Sequence, residues 1–214
     1  MFFPKKSLTV FIAAAIFAAL SSPLQAASSK PTLKPLRQSR GFVMPLAPSP
    51  KAKPDPALPS MGRDKHGMPF YHPKQRTRVV RTTAYTHSES DHLSYGPRNA
   101  IGTSLKYTDQ VRSAAADWSV YPLGTKFRIK GQPYLYVVDD YGSALVNTGT
   151  IDIYQPNKTL MRQWGRRVVE ITVVQWGSPE MSMQKLNDRR KYKHCAAMFS
   201  SLKKQKSHAT AKAK

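Results

Sequence analysis

Apolar and polar positions alternate in short runs between residues 78 and 177, and those runs define the elements of the fold. From Val168 to Val174, Val169, Ile171 and Val173 fall on one face and Glu170 and Thr172 on the other, the period-two pattern of a half-buried strand. Arg78-Val-Val-Arg-Thr-Thr-Ala-Tyr85 is β-branched and ends in Thr-His-Ser-Glu-Ser, a loop signal. Lys126-Phe-Arg-Ile129 is a short alternating strand closed by Lys-Gly-Gln-Pro, and Tyr134 to Asp139 and Gly149 to Tyr154 supply two more. One helix is expected among them, with Asn157 as N-cap, Lys158 to Trp164 as the body and Gly165 just past its end. Short strands, one or two short helices and Gly-rich corners predict a mainly β fold closed into a small barrel.

The flanks have a different pattern. Lys5 and Lys6 precede an apolar run from Leu8 to Leu20 and then Ser-Ser-Pro-Leu-Gln-Ala-Ala, which reads as a secretory signal peptide over residues 1–26. That run is too short to span a bilayer, where about 20 residues are needed, and no other stretch qualifies. An exported protein without a transmembrane segment after signal cleavage is expected, periplasmic, extracellular or associated with the cell envelope. Residues 27–77 are dense in Pro, Lys and Ser, and prolines at that density forbid helix and strand, so an extended disordered linker is expected. Residues 178–214 are Lys-rich and read as a basic C-terminal tail, with a short helix around 180–200 and a disordered end. Between them, residues 78–177 alone carry enough apolar sequence to bury a core. The single cysteine, Cys195, excludes an internal disulfide framework and reads as an incidental residue of the tail.

Charge sharpens the division. The chain carries a net charge of +22, yet residues 78–184 hold 12 Lys and Arg against 9 Asp and Glu. The excess therefore lies in the flanks. A folded nucleic-acid reader carries its basic stripe on the folded surface, so this distribution argues against nucleic acid. It favours anionic envelope polymers as partners of the basic tails.

With only twelve acidic residues in the chain, three aspartates stand out by their settings. They are Asp117 in Ala-Asp-Trp-Ser, Asp140 in Val-Val-Asp-Asp-Tyr-Gly-Ser-Ala-Leu, and Asp152 in Thr-Ile-Asp-Ile-Tyr. Asp117 and Asp140 also fit ordinary turn roles, whereas an acid between two isoleucines of a strand does not. Beside apolar strands a carboxyl keeps its proton to higher pH, and a protonated carboxyl near neutrality can act as a general acid. The doubled Asp139-Asp140 leaves two registers open: the alignment with Tyr-Gly-Ser-Ala favours Asp140, and Asp139 would then point to the opposite face. His87-Ser-Glu-Ser-Asp-His92 matches no defined zinc spacing and reads as a solvated loop, so neither metal nor cofactor is expected. Tyr85, Tyr154 and Trp164 read first as core and second as rings that stack on sugars.

Taken in order, Thr-Ala-Tyr (83–85), Ile-Gly-Thr (101–103), Ala-Ala-Asp (115–117), Pro-Leu-Gly-Thr (122–125), Asp-Tyr-Gly-Ser-Ala-Leu (140–145), Ile-Asp-Ile-Tyr (151–154) and Trp-Gly-Arg-Arg (164–167) resemble the three-aspartate (3D) domain. That family includes the catalytic barrel of membrane-bound lytic transglycosylase A and small stationary-phase muralytic proteins. The resemblance implies a six-stranded double-psi β-barrel. It also implies peptidoglycan glycan strands as substrate, cleaved at the β-1,4 bond between N-acetylmuramic acid and N-acetylglucosamine with a 1,6-anhydro product. It makes Asp152 the single acid/base and Asp140 and Asp117 the other two site aspartates. By the same resemblance the substrate-binding candidates are Thr83, Tyr85, Gly102, Thr103, Gly142, Ser143, Ala144 and Tyr154. Between Asp140 and Asp152 this chain has one residue more than the family's usual loop. A hairpin loop absorbs such an insertion, but within a strand it would turn Asp152 to the wrong face. The alternative reading is a non-catalytic glycan-binding barrel of the envelope, and within the enzymes a hydrolase using Asp140 with Asp152.

Overall fold

The structure is a computed structural model that describes residues 61–90 and 92–212, all within one compact unit. The expected signal peptide and residues 27–60 of the expected linker lie outside the described residues. Six strands, β1 (Thr77–Tyr85), β2 (Val111–Ala116), β3 (Lys126–Ile129), β4 (Leu135–Asp140), β5 (Ile151–Tyr154) and β6 (Arg167–Gln175), close in the order β1-β5-β2-β4-β3-β6. Two parallel pairings, β1 with β5 and β2 with β4, sit among antiparallel ones and make the mixed double-psi barrel expected from the sequence. The alternation of β6 holds: Val169, Ile171 and Val173 are buried, while Glu170 and Thr172 face outward. Ile151, Ile153, Phe127, Tyr136, Val138 and Ile171 fill the interior, with Phe127 stacked on Tyr136 at 5.3 Å.

The helix α1 (Lys158–Trp164) has the expected ends: the Asn157 side chain accepts from the Leu160 N–H, and Gly165 (φ +59) returns its N–H to the Met161 carbonyl. Strand β2 has no counterpart among the elements expected from alternation. Its sequence, Val-Arg-Ser-Ala-Ala-Ala, carries small side chains buried on both faces, so no period of two is visible.

The C-terminal stretch corrects the expectation of a tail with a disordered end. It forms α2 (Pro179–Asn187), capped by Ser178, and α3 (Lys193–Lys212). Cys195, Met198 and Leu202 recur at helical spacing on α3. With Leu186 they are at most 2 % exposed and join Trp118 in the core cluster. Burying four such side chains contributes roughly 1.5–3 kcal/mol each, enough to dock a helix whose other face is lysine-rich. Gly177 makes the turn into α2: a Cβ there would lie 2.2 Å from the Leu123 carbonyl oxygen, so only glycine lets the two backbones meet. Cys195 is accordingly a core residue.

The end of the expected linker is also ordered. From residue 61 the chain packs along the barrel, fixed by Asp64, whose carboxylate accepts from the N–H groups of His66, Met68 and Gly149 at 2.8, 2.9 and 3.1 Å. Burial pushes the Asp64 carboxyl up, and those three donors outweigh it and hold the pKa below the ordinary value. The Tyr71 hydroxyl accepts from the Val79 N–H and donates to the Val79 carbonyl, standing in for a strand partner. Arg78, 3 % exposed, donates to the carbonyls of His72 and Gln75 and lies within 5.6 Å of the rings of Tyr71, Tyr121 and Trp176. Proline density conceals these polar anchors.

Candidate active site

Four strands run side by side as β4-β2-β5-β1, and one row across them gathers the chemistry. Ala115 of β2 pairs in register with Asp140 of β4 on one side and with Asp152 of β5 on the other, and Asp152 pairs with Thr83 of β1. A bulge on this ladder sets which aspartate joins the row: Ala114 is opposite Val138 and Ala115 opposite Asp140, so Asp139 is skipped. The skipped Asp139 carboxylate points to the other side, where one oxygen accepts from Lys106 Nζ at 2.8 Å, Ser113 Oγ at 2.8 Å and Asn99 Nδ2 at 3.0 Å. Of the doubled aspartates, Asp140 faces the cleft.

That cleft has a volume of about 200 Å³, and Asp140, Asp152, Tyr85, Gly142, Tyr141, Glu89 and His92 are among the residues lining it, with Ala115 as its floor. Asp152 is half-buried, stands on the opposite face of β5 from Ile151 and Ile153, and accepts a hydrogen bond from Thr83 Oγ1 at 2.7 Å. Burial pushes its carboxyl up to about 6; the Thr83 hydrogen bond opposes this, and the charges of Glu89 and Asp140 add to it. Asp140 accepts from the Tyr85 hydroxyl at 3.0 Å, from the Ala100 N–H at 3.1 Å and from the Tyr141 N–H at 2.9 Å. Burial pushes this carboxyl up to about 6 as well, against the hydrogen bonds of Tyr141 and Tyr85. Neither carboxyl takes part in the two ion pairs found among the described residues, Lys106–Asp139 and Lys130–Glu170.

Asp117 is fully buried and lies away from the cleft lining. One of its oxygens accepts from the N–H and hydroxyl of Ser119 at 2.8 and 2.7 Å, the other from the Asn147 N–H at 2.7 Å. Burial raises its pKa, and these donors limit the rise. Asn147 (φ +59) lies in the turn after the 3-10 segment Ser143–Leu145 and before β5. The loop expected to hold an extra residue lies outside β5 and is pinned by Asp117, and Asp152 lines the cleft.

The other candidates divide. Thr83 and Tyr85 reach the two cleft carboxyls, and Gly142 lines the cleft. Tyr154 is 3 % exposed, its ring 5.6 Å from that of Tyr85 and its hydroxyl 2.7 Å from His87 Nδ1. Trp164 is likewise buried, under the guanidinium of Arg167. Thr103 is held by Asn99, Gly102 (φ +85) makes the adjoining turn, and Ser143 and Ala144 are exposed on the 3-10 turn; none of these four lines the cleft.

Glu89 and His92 are additions from a loop whose composition reads as solvated. The Thr86 N–H donates to Glu89 Oε2 at 3.0 Å, and the His92 ring packs 5.8 Å from that of Tyr85 while its Nε2 lies 3.0 Å from the Arg98 carbonyl oxygen. The Thr86-x-x-Glu89 spacing, a capping-box pair, was the available sign that this loop is built rather than loose. Among the described residues no group of three or more His, Cys, Asp and Glu side chains is placed to hold a metal ion, and no helix is long and apolar enough to cross a membrane.

Residues 112–175, which contain all three aspartates, match the family model of the 3D domain. The protein named "Putative cell wall shaping protein YabE" from Bacillus subtilis (strain 168) is 32% identical over 99 residues, which are 46% of this chain and 23% of that protein. The matched stretch therefore spans under a quarter of the relative's length. Residues 112–175, which are similar to the 3D domain, supply β2 to β6 of the closed barrel, and with β1 they put Asp140 and Asp152 in one cleft.

Proposed function

We propose that this protein is a peptidoglycan lytic transglycosylase of the cell envelope, with Asp152 as its single acid/base. The observation that carries the reading is a carboxyl raised to about 6, in no ion pair among the described residues, half-open to a sugar-sized cleft and oriented by Thr83. The protonated Asp152 carboxyl gives its proton to the glycosidic oxygen between N-acetylmuramic acid and N-acetylglucosamine. The C1–O bond breaks, and positive charge develops on the muramyl ring. The carboxylate then takes the proton of the C6 hydroxyl as that oxygen bonds to C1, closing the 1,6-anhydro ring. No water is consumed, and one carboxyl serves both steps.

Asp140 supplies negative charge one strand beyond Ala115, which favours the protonated form of Asp152 and stabilises the cationic transition state. Asp117 acts at a distance by holding the loop that leads into β5. The name of the Bacillus subtilis relative, which refers to the shaping of the cell wall, supports an envelope setting. The basic α3 and the basic N-terminal flank would hold the protein to anionic wall or membrane polymers.

A second reading has an observation in its favour: Glu89 is a third carboxyl in the same cleft, so more than one carboxyl is available to serve as acid and base for hydrolysis. Mass spectrometry of sacculi digested with the full chain separates the readings. The transglycosylase yields muropeptides lighter by one water than the hydrolase does. Intact sacculi would leave a non-catalytic glycan-binding barrel.

A further inference from the structure

The cleft has one wall of a different character. Tyr141 follows Asp140 directly and lines the cleft, with its ring edge-on to Trp118 at 5.0 Å and 5.6 Å from the ring of His194 on α3. Its hydroxyl accepts a hydrogen bond from Arg189 Nη1 at 3.2 Å, and the guanidinium carbon is 5.9 Å from the ring centroid. The α2–α3 turn therefore touches a residue of the cleft wall, with Arg189 itself outside the lining residues. The docking of α2 and α3 through Leu186, Cys195, Met198 and Leu202 keeps it there.

Arg189 differs from Arg78 and Arg167, which also pack on aromatic rings but donate to two backbone carbonyls each. Arg78 spends its donors on the carbonyls of His72 and Gln75, and Arg112 is sandwiched between Tyr107 and Tyr134 at 4.0 and 3.4 Å. Arg189 is half-buried and makes one side-chain hydrogen bond, to a neutral phenol. It takes part in neither ion pair found among the described residues. Among the described residues four of its five N–H donors have no partner, and they lie in the planar fork that matches a carboxylate. Its neighbours Arg190, Lys191 and Lys193 are exposed, and residues 177–212 hold nine Lys and Arg against the two acids Glu180 and Asp188. Glu89, Asp140 and Asp152 line the cleft, and the Arg189 guanidinium stands behind Tyr141, one residue out from the lining.

We propose that Arg189, seated on Tyr141, is an anion subsite that takes a carboxylate carried on the 3-lactyl substituent of the muramyl residue whose bond Asp152 breaks. The inference rests on the glycan-cleaving reading and adds its substrate polarity. A muramyl residue differs from N-acetylglucosamine by that lactyl ether alone. The ether ends in a free carboxylate on peptide-free strands and in an acidic peptide on stem-bearing ones. The cleft acids repel such a carboxylate and Arg189 attracts it, so a bound strand has one favoured direction, with the muramyl C1 toward Asp152. Acids inside the cleft and a guanidinium beside it act on orientation as well as on affinity.

The test measures affinity of the full chain for three oligosaccharides of equal length: an N-acetylglucosamine oligomer, a peptide-free peptidoglycan fragment and the same fragment with its stem peptides. The expected result is about tenfold tighter binding of an anionic fragment than of the neutral oligomer at low salt. That ratio should fall to near one in Arg189→Gln and be partly kept in Arg189→Lys, which retains the charge without the fork. A preference for the peptide-free fragment assigns the lactyl carboxylate, and one for the stem-bearing fragment assigns the peptide. Equal wild-type affinity for all three, or a preference that survives in Arg189→Gln, overturns the subsite and leaves glycan binding standing. Absence of binding to any of the three overturns both the subsite and the proposed function.

Discussion

Asp140 and Asp152 stand in one row of the barrel, two strands apart, with only the methyl group of Ala115 between them. At about 4.8 Å per strand step their Cα atoms are roughly 10 Å apart. Burial is the larger cause of the raised pKa at each carboxyl, and at Asp152 the charge of Asp140 adds to it. The row also explains why β2 is built of alanines, since any larger side chain at 115 would fill the cleft floor.

Asp152→Asn is the direct test of the acid. Asparagine keeps the shape and can still accept from Thr83, but it has no proton to give. Formation of anhydro-muropeptides should fall about 10²–10⁴-fold, while binding to sacculi persists. Wild-type activity should decline as pH rises through about 6, where Asp152 loses its proton. Activity that rises from pH 6 to 8, or survives in the asparagine variant, would assign the acid elsewhere.

The same carboxyl has a signature in stability. Its pKa is raised in the folded chain from 3.8 to about 6, so the folded state binds more protons than the unfolded state between those values. Stability from this group is fully present below about pH 3.8 and is lost as pH rises through 6. The shift is equivalent to about 3 kcal/mol, which solvent at the half-buried Asp152 reduces to about 1–2 kcal/mol. Asp152→Asn should therefore be more stable than wild type by about that amount at pH 7.5, and the gap should close near pH 4. Urea titrations at the two pH values measure it; a gap independent of pH would contradict a raised carboxyl.

What could be read from the sequence, and what could not, follows from the range of each signal. The strands β3 and β6 and the helix α1 are local patterns of alternation and capping, and the structure reproduces them to within a residue or two. Strand β2 escaped because alanines buried on both faces leave no period. The choice between Asp139 and Asp140 depended on a bulge in the pairing with β2, a relation between segments that neither sequence displays alone. Glu89 and His92 sit in a polar loop whose approach to Asp152 is a property of barrel closure. The helical C-terminus was hidden by composition: dense lysine reads as solvated chain, although Cys195, Met198 and Leu202 already mark one face.

Asp117 should prove a positioning residue. Its carboxylate accepts three hydrogen bonds, from both donors of Ser119 and from the Asn147 N–H, with none of its surface exposed. Removing it in Asp117→Ala leaves the part-buried N–H groups of Ser119 and Asn147 without their acceptor, while the cost of burying a charge is also removed, so a net loss of about 1–2 kcal/mol is expected. Activity should fall through displacement of the loop entering β5, with KM and kcat both affected and the pH profile unchanged. An inactive variant of undiminished stability, or one with a shifted pH profile, would place Asp117 in the chemistry instead.

The C-terminal helices make the sharpest structural prediction, because a tail and a core element respond oppositely to the same change. Met198 is fully buried on α3, and its Sδ lies 3.4 Å from the Trp118 backbone nitrogen at the start of the loop that follows β2. Truncation to alanine removes the buried thioether and leaves a cavity under Trp118, which also donates its indole N–H to the Asp140 carbonyl at 2.9 Å. Met198→Ala should cost about 2–5 kcal/mol, and chemical unfolding should remain a single transition reported alike by tryptophan fluorescence and far-ultraviolet circular dichroism. The loss should be accompanied by reduced activity, since Trp118 braces both the Asp140 backbone and the Tyr141 ring. A stability change below about 0.5 kcal/mol, or helical signal that melts before the barrel, would show that α3 rests on the barrel without belonging to its core.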